Sequence, residues 1–206
     1  MDIVSKRLAR VRCIPMIKLV SLAHASSLGE ALIAGGLPVA NISQQTNEGL
    51  ELLCLLAAKF PDLLVGGGNV QTVGQARNAI EAGARFIFSP IFDLDIITLC
   101  QQQGVAVYPV TKEGLLAVEN NLGVLGFYPV EKLGGLKAID KLGELFGLRF
   151  VVAGGVTQET VGSYLANPYV IAVTGSWMID PTLVATNQWS LIVQALRETA
   201  HRVNSL

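Results

Sequence analysis

The sequence predicts a (β/α)8 TIM barrel with a short helix before the first strand. Three observations lead to this fold class: eight short apolar runs alternate with longer segments of helical periodicity, glycines recur at intervals of one strand-plus-helix unit, and no glycine-rich or charged linker interrupts the 206 residues. We therefore expect one barrel domain over 1–206, with its functional site at the carboxyl ends of the strands. The alternative is an open doubly wound sheet, which normally carries its glycine loop after the first strand rather than the seventh.

The predicted elements follow one another in regular order. A short amphipathic helix is expected at 3–11. The predicted strands are Cys13–Leu19, Pro38–Ile42, Leu63–Gly66, Arg85–Ser89, Val105–Tyr108, Val124–Tyr128, Leu148–Val152 and Tyr169–Thr174. The predicted helices that follow them span about 24–34, 46–59, 72–82, 93–102, 112–121, 136–146, 158–166 and 182–203.

Capping residues mark many of these boundaries. Three helix starts are indicated by pairs of residues with N-terminal preferences, namely Ser27 with Glu30, Thr72 with Gln75, and Asp180 with Pro181. Glycine favours the left-handed conformation that ends many helices. We expect that conformation at Gly36, Gly83, Gly104, Gly123 and Gly147.

Composition excludes several classes of function. Hydrophobic residues make up 51% of the chain and charged residues 15%, a balance typical of parallel strands that are buried on both faces. No apolar run approaches the roughly 18 to 20 residues of a membrane span, and the basic segment 1–12 lacks the apolar core of a signal peptide. The net charge of -1 provides no basic field for nucleic acid. We expect neither membrane nor nucleic acid as a partner.

Cysteine and histidine give no sign of a metal site. Cys13, Cys54 and Cys100 are far apart in apolar surroundings, so we expect buried, reduced thiols of a cytoplasmic protein. His24 and His201 lie at opposite ends of the chain and lack the spacing of metal ligands. We therefore expect no metal.

The ends of the last two predicted strands indicate an anion site. In Phe150–Thr157 a β-branched run breaks into two glycines and restarts at a threonine suited to helix capping, an arrangement that leaves backbone N–H groups free. Val170–Trp177 repeats the pattern with a glycine-serine step. Neighbouring strand ends of a parallel barrel can close on one anion from two sides. The predicted phosphate-binding residues are Gly154, Gly155, Val156, Gly175 and Ser176.

A series of short motifs extends from about residue 10 to the end of the chain. They are Ile14–Ile17, Ala34–Leu37, Val65–Gly68, Glu81–Phe86, Ser89–Pro90, Phe127–Glu131, Gly134–Lys137, Ala153–Val156 and Gly175–Trp177. In this order and spacing they resemble the 2-keto-3-deoxy-6-phosphogluconate (KDPG) and 4-hydroxy-2-oxoglutarate (KHG) aldolases, although Val110–Asn121 looks a few residues short. The resemblance implies a homotrimeric class I aldolase barrel without a cofactor. Such an enzyme is a lyase that cleaves a 2-keto-3-deoxy sugar-acid phosphate to pyruvate and an aldehyde.

This chain has the glycines that the resemblance implies for phosphate binding, but it lacks the implied catalytic side chains. The resemblance implies a proton-transferring glutamate where this chain has Asn41, and a carboxylate-binding arginine where it has Gln45. It implies a substrate-binding threonine where the chain has Asn69, and the Schiff-base lysine where it has Gly126. Asparagine does not titrate, and a neutral amide binds a carboxylate more weakly than arginine does. Class I aldol chemistry needs an amine that forms an iminium, which glycine lacks. We therefore do not expect standard class I turnover.

Three interpretations remain open. In the first, the protein is a lyase whose Schiff base has moved to another lysine: Lys18 near the end of the first strand, where the family often has a basic residue, or Lys112 or Lys132 in later loops. In the second, it is a non-catalytic barrel that binds a phosphorylated sugar acid or a pyruvate-like ligand. In the third, it catalyses a different reaction on a phosphosugar, such as epimerisation, which requires titratable groups that the sequence does not identify.

Overall fold

The computed structural model describes residues 1–18 and 20–205. Eight parallel strands lie in chain order around a barrel: Cys13–Ile17 (β1), Val39–Ser43 (β2), Leu64–Gly68 (β3), Phe86–Ser89 (β4), Ala106–Pro109 (β5), Val124–Phe127 (β6), Arg149–Ala153 (β7) and Val170–Gly175 (β8). All eight predicted strands are confirmed, with small differences at their ends. Leu19, the predicted last residue of the first strand, lies outside the described residues.

The sheet closes on itself. Its hydrogen-bonded order is β5-β4-β3-β2-β1-β8-β7-β6, and an isolated parallel bridge between Val110 and Gly126 joins the two outer strands. The fold is therefore a TIM barrel, and the open-sheet alternative is wrong. All carboxyl ends of the strands point to one mouth.

Helices cover the outside of the barrel. They are Ile3–Val11 (α1), Ala25–Ala34 (α2), Asn47–Lys59 (α3), Val73–Glu81 (α4), Leu94–Gln102 (α5), Gly114–Glu119 (α6), Gly135–Phe146 (α7), Val161–Leu165 (α8), Pro181–Ala185 (α9) and Trp189–Asn204 (α10). The prediction of one helix over 182–203 is wrong. Asn187, at φ 56°, takes the left-handed conformation and divides that segment into α9 and α10.

The capping predictions had mixed outcomes. Thr72 and Gln75 form a reciprocal capping box, and Asp180 caps α9. Ser27 is not a cap: it lies inside α2, which begins at Ala25 directly after a 3₁₀ turn. The 3₁₀ turn at Leu22–His24 leads directly into α2, so the helix has already begun before it reaches Ser27.

Left-handed glycines end most of the helices for which they were predicted. Positive φ angles are found at Gly36, Gly83, Gly104 and Gly147. Gly123 does not have one, because Asn121 at φ 58° already turns the chain after α6. Asparagine is among the few residues other than glycine that tolerate this conformation.

The apolar core has an outer and an inner part. The outer part packs the helices against the strands, and the inner part fills the barrel with large side chains such as Phe86, Phe88 and Tyr108. Val4 and Leu8 of α1 belong to the inner part, so this helix covers the end of the barrel opposite the mouth. This packing leaves the mouth as the open end.

A buried polar contact fixes α1 to the barrel. Ser5 Oγ lies 2.9 Å from the hydroxyl of Tyr108 and donates a hydrogen bond of 2.6 Å to the carboxylate of Asp2, the N-cap residue of α1. Burial, the largest effect, raises the pKa of Tyr108 well above its usual range. The tyrosine therefore remains protonated and available for this hydrogen bond.

Cys13 and Cys100 are buried as predicted, but Cys54 is exposed. It follows Leu53 on α3, whose buried face contains Leu53 and Leu56, so position 54 points away from the barrel. Among the described helices, none combines the length and the apolar character needed to cross a membrane.

Candidate functional site

A cavity of about 320 Å³ opens at the carboxyl ends of the strands. It is lined by Met16, Lys18, Asn41, Gln45, Asn69, Phe88, Pro90, Tyr128, Ala153, Gly154, Gly155, Val156, Thr174, Gly175 and Ser176. Nine of the predicted site residues are in this wall: Lys18, Asn41, Gln45, Asn69, Gly154, Gly155, Val156, Gly175 and Ser176. Gly126, Lys112 and Lys132 do not belong to the wall that the described residues form.

Two buried polar side chains in the wall each have an oxygen atom without a hydrogen-bond partner among the described residues. Asn41 on β2 is 2% exposed and Thr174 on β8 is 5% exposed. Within the described chain, neither Asn41 Oδ1 nor Thr174 Oγ1 has a partner. Gly68 on the neighbouring strand makes room for the amide, because a Cβ there would overlap it. A buried polar atom without a partner costs about 1–3 kcal/mol, so both oxygens are available to a molecule in the cavity that can form hydrogen bonds with them.

The other polar side chains lie nearer the rim. Ser43 Oγ donates a hydrogen bond of 3.2 Å to Gln45 Oε1, and the Gln45 amide nitrogen is left to donate elsewhere. Asn69 directly follows β3 at φ 56°, a conformation that asparagine tolerates. Lys18 is exposed and is the one charged side chain among the described residues of the wall. A wall with this composition contains no carboxylate to act as a general base.

Backbone rather than side chains forms the opposite wall, at the ends of β7 and β8. Gly154 and Gly155 have φ angles of 78° and 89°, which favour glycine. The N–H groups of Gly155, Val156 and Ser176 have no acceptor within the described chain. They are therefore available to an anion in the cavity.

The predicted role of Thr157 is corrected. Its hydroxyl accepts from the backbone N–H groups of Glu159 and Thr160 at 3.3 and 3.4 Å, so it caps a turn, and α8 begins only at Val161. The free N–H groups thus belong to the loop after β7 and not to the first turn of a helix.

A tyrosine on α8, which follows β7, forms a hydrogen bond to the segment that follows β6. Tyr164 on α8 donates a hydrogen bond to the carboxylate of Glu131, which follows β6. Burial first, and then the hydrogen bond and charge of Glu131, raise the pKa of Tyr164 to about 12. The tyrosine is therefore a permanent donor at neutral pH, and it links the segments after β6 and β7.

Gly126 lies buried in β6 and has no space for a side chain. A Cβ at this position would stand 2.8 Å from Phe88 Cζ and 2.8 Å from the carbonyl oxygen of Tyr108. Real Cβ atoms essentially never approach other atoms so closely. The ring of Phe88 and the backbone of β5 therefore occupy the space into which a side chain at 126 would point.

The alternative lysines have different positions. Lys18 lies in the cavity wall, whereas Lys112 and Lys132 are exposed loop residues outside it. In the described chain, no group of three or more His, Cys, Asp and Glu side chains is placed to hold a metal ion. Lys18 is thus the one candidate amine that the structure brings to the site.

Sequence reasoning missed several wall residues, above all Thr174, Phe88 and Tyr128. Each lies at or next to the carboxyl end of a strand, where the functional residues of TIM barrels are found. That position was the available signal. Tyr128 also packs against Gly154, because a Cβ at 154 would contact its ring at 2.7 Å.

Comparison with protein families gives a clear assignment. The family model described as KDPG and KHG aldolase matches residues 4–195. The chain belongs to this aldolase family. The 2-dehydro-3-deoxy-phosphogluconate aldolase of Treponema pallidum is 33% identical over 196 residues, which cover 93% of each chain. The KHG/KDPG aldolase of Escherichia coli K12 is 28% identical, over 90% of this chain and 89% of that one.

Solved structures of KDPG aldolases have the same fold. The Legionella pneumophila KDPG aldolase, with pyruvate captured as a covalent carbinolamine, superposes with a TM-score of 0.89 at 29% identity, over 95% of this chain and 97% of that one. The Zymomonas mobilis ZM4 KDPG aldolase with 3-phosphoglycerate gives a TM-score of 0.84 at 28% identity, over 95% and 94%.

Proposed function

We propose that this aldolase-family barrel binds a phosphorylated sugar or sugar acid at its mouth without class I aldolase turnover at β6. The observation that carries the proposal is Gly126. The family resemblance assigns the Schiff-base lysine to this position, and here the amine is absent and its space is filled by Phe88. A carbinolamine such as the one captured in the Legionella enzyme requires an amine that adds to the pyruvate carbonyl.

The cavity wall at 154–156 and 175–176, called here the glycine edge, supports phosphate binding. Gly155, Val156 and Ser176 line one cavity at two neighbouring strand ends, and their N–H groups have no acceptor within the described chain. Neither Gly154 nor Gly175 has room for a side chain, because a Cβ would overlap the ring of Tyr128 or of Trp177. The Zymomonas relative was solved with a phosphorylated acid, 3-phosphoglycerate, which agrees with a phosphate site in this family.

A second candidate is a lyase that uses Lys18. It is favoured by one observation, the position of Lys18 in the cavity wall. In that reaction the lysine would have to lose its proton and form an iminium with the 2-oxo group, and a different group would have to accept the protons. The described residues of the wall include no carboxylate or histidine for this task. Binding without turnover is therefore the better-supported function.

Borohydride trapping separates the two candidates. The protein is incubated with pyruvate or with KDPG, reduced with borohydride, and analysed by intact mass and peptide mapping. Binding without turnover predicts no adduct, together with thermal stabilisation by a phosphorylated ligand. A reduced adduct on Lys18 that disappears in Lys18→Met would establish the relocated lyase. Lys112→Met is the matched control, because that lysine is exposed and lies outside the cavity wall.

We further propose that the protein is a homotrimer in the cytoplasm. Exposed apolar side chains on neighbouring helices support an oligomer, including Leu115 and Val118 on α6 and Leu145 on α7, which are 60%, 46% and 64% exposed. The three cysteines are free, as expected for a reducing compartment. Light scattering coupled to size-exclusion chromatography measures the oligomeric state directly.

A further inference from the structure

We infer that the ligand of the cavity is a phosphate ester whose other end is uncharged, such as a polyol or sugar phosphate, and not a phosphorylated acid. This inference rests on the proposed phosphate site and names the class of ligand that the site prefers. It follows from the charge of the wall, from two partnerless polar groups and from an apolar floor.

The charge of the wall fits a phosphate better than a phosphate plus a carboxylate. Lys18 is the single ionised side chain among the described wall residues, and it is exposed to solvent at the rim. Asn41, Gln45 and Asn69 present neutral amides to the part of the cavity that faces the glycine edge. A second anion in this region would lose part of its hydration without a second cation to compensate for the loss. The amides provide dipoles but no such charge.

The partnerless groups favour hydroxyls over carboxylates. Asn41 Oδ1 and Thr174 Oγ1 are buried and have no partner within the described chain. A hydroxyl both donates and accepts, so it can satisfy either end of the Asn41 amide as this turns about χ2, and it can also pair with the threonine hydroxyl. A carboxylate only accepts, so it can pair with the threonine O–H or with the amide N–H groups but leaves Asn41 Oδ1 without a donor. The neutral end of a polyol is therefore the matching chemistry.

The floor of the cavity adds a third argument. Met16, Phe88 and Ala153 contribute apolar surface below the polar wall, and Phe88 extends to the position next to Gly126. A carboxylate held against the ring of Phe88 would lose water without gaining a charged donor. Carbon-bound hydrogens of a sugar chain can cover the same ring at no such cost.

Two pairs of phosphate esters test the inference, and in each pair one member is neutral at the carbon that carries a carboxylate in the other. The pairs are glycerol 3-phosphate with 3-phosphoglycerate, and glucose 6-phosphate with 6-phosphogluconate, and binding is measured by calorimetry and by thermal shift. We expect the neutral member of at least one pair to bind about tenfold or more tightly than its acid, a difference of about 1.4 kcal/mol. Inorganic phosphate is the probe of the phosphate site alone.

Variants of the wall give the converse test. Gln45→Arg supplies a planar cation for bidentate carboxylate binding, so it should shift the preference toward the acid by about tenfold. Gln102→Arg adds the same charge on an exposed residue at the end of α5, away from the cavity, and should change neither affinity nor preference. Lys18→Met should weaken both members of a pair by a similar factor if the lysine serves the phosphate.

The outcomes are distinguishable. If neither inorganic phosphate nor any of the four esters binds, the proposed phosphate site itself is wrong. If the esters bind and each acid binds as tightly as its neutral partner or more tightly, the phosphate site stands and the inference is overturned. Loss of the acid alone in Lys18→Met would assign that lysine to a carboxylate and would also overturn it.

Discussion

Replacing Gly126 by alanine tests whether there is room for a side chain at the position to which the family resemblance assigns the Schiff-base lysine. The substitution adds one methyl group, and that group would meet Phe88 Cζ and the Tyr108 carbonyl oxygen, each at 2.8 Å. The ring belongs to a buried side chain that also lines the cavity, whereas the carbonyl belongs to the backbone of a neighbouring strand, so the carbonyl is the harder of the two to displace. We therefore expect Gly126→Ala to destabilise the protein.

The size of the effect follows from the cost of overpacking. An extra methyl group in a well-packed interior costs about 1–3 kcal/mol. For a chain of this length, each kcal/mol corresponds to a decrease of about 2–4 °C in the melting temperature. The expected decrease for Gly126→Ala is thus about 2–12 °C. Lysine at the same position adds the same methylene group first, so it would meet the same obstruction.

Gly123 provides a matched control three residues earlier. It is exposed, its φ angle is not positive, and a Cβ there would have no atom within 4 Å outside its immediate neighbours. Gly123→Ala should therefore be neutral or stabilise by about 0.4–1 kcal/mol through the entropy of the unfolded chain. Urea unfolding of both variants, followed by circular dichroism, measures the difference in free energy of unfolding.

A double-mutant cycle assigns the cost to its source. Phe88→Ala leaves a cavity and is itself destabilising, but combined with Gly126→Ala it should recover part of the cost, because the ring no longer opposes the new methyl group. The remainder reports the contact with the carbonyl of Tyr108. If Gly126→Ala proved as harmless as Gly123→Ala, then β6 would have room for a side chain and the reasoning about the filled lysine position would be refuted.

Three further predictions concern single residues. Asn41→Leu removes a buried oxygen without a partner, so it should raise the free energy of unfolding by about 1 kcal/mol in thermal scans and should abolish stabilisation by phosphate esters. A variant less stable than the original protein would indicate that this oxygen does have a partner. Asn69→Thr should cost about 1–2 kcal/mol, since a β-branched residue is strained at this φ angle, whereas Asn69→Gly should be tolerated. Burial raises the pKa of Asp2, but hydrogen bonds from Ser5 together bring it below 3.8. The carboxylate of Asp2 therefore stabilises the fold fully at pH values above its pKa in the unfolded chain, and this stabilisation is lost as the pH falls through its pKa in the folded protein. Asp2→Asn should thus flatten the acid limb of a stability profile measured between about pH 5 and 2.

Local features of the sequence were enough to predict the strands and most helix ends. Apolar runs, the capping box at Thr72 and Gln75, and the proline after Asp180 act over a few residues, so their effect does not depend on the rest of the chain. The division of the last helix was missed because Asn187 reads as an ordinary polar residue. Asparagine tolerates the left-handed conformation, but its presence alone does not indicate that the chain adopts it at that position.

The candidate site divides in the same way. The sequence alone determined which residues stand at the strand ends: neutral amides at positions 41, 45 and 69, a glycine at 126 and two glycine-rich steps. Tertiary structure decided which atoms surround these residues. Phe88 fills the space beside Gly126 from another strand, and Asn41 and Thr174 reach one cavity from different strands, each with an oxygen that has no partner among the described residues. Such contacts join residues that are distant in the chain, and their geometry arises only when eight strands close around a common interior.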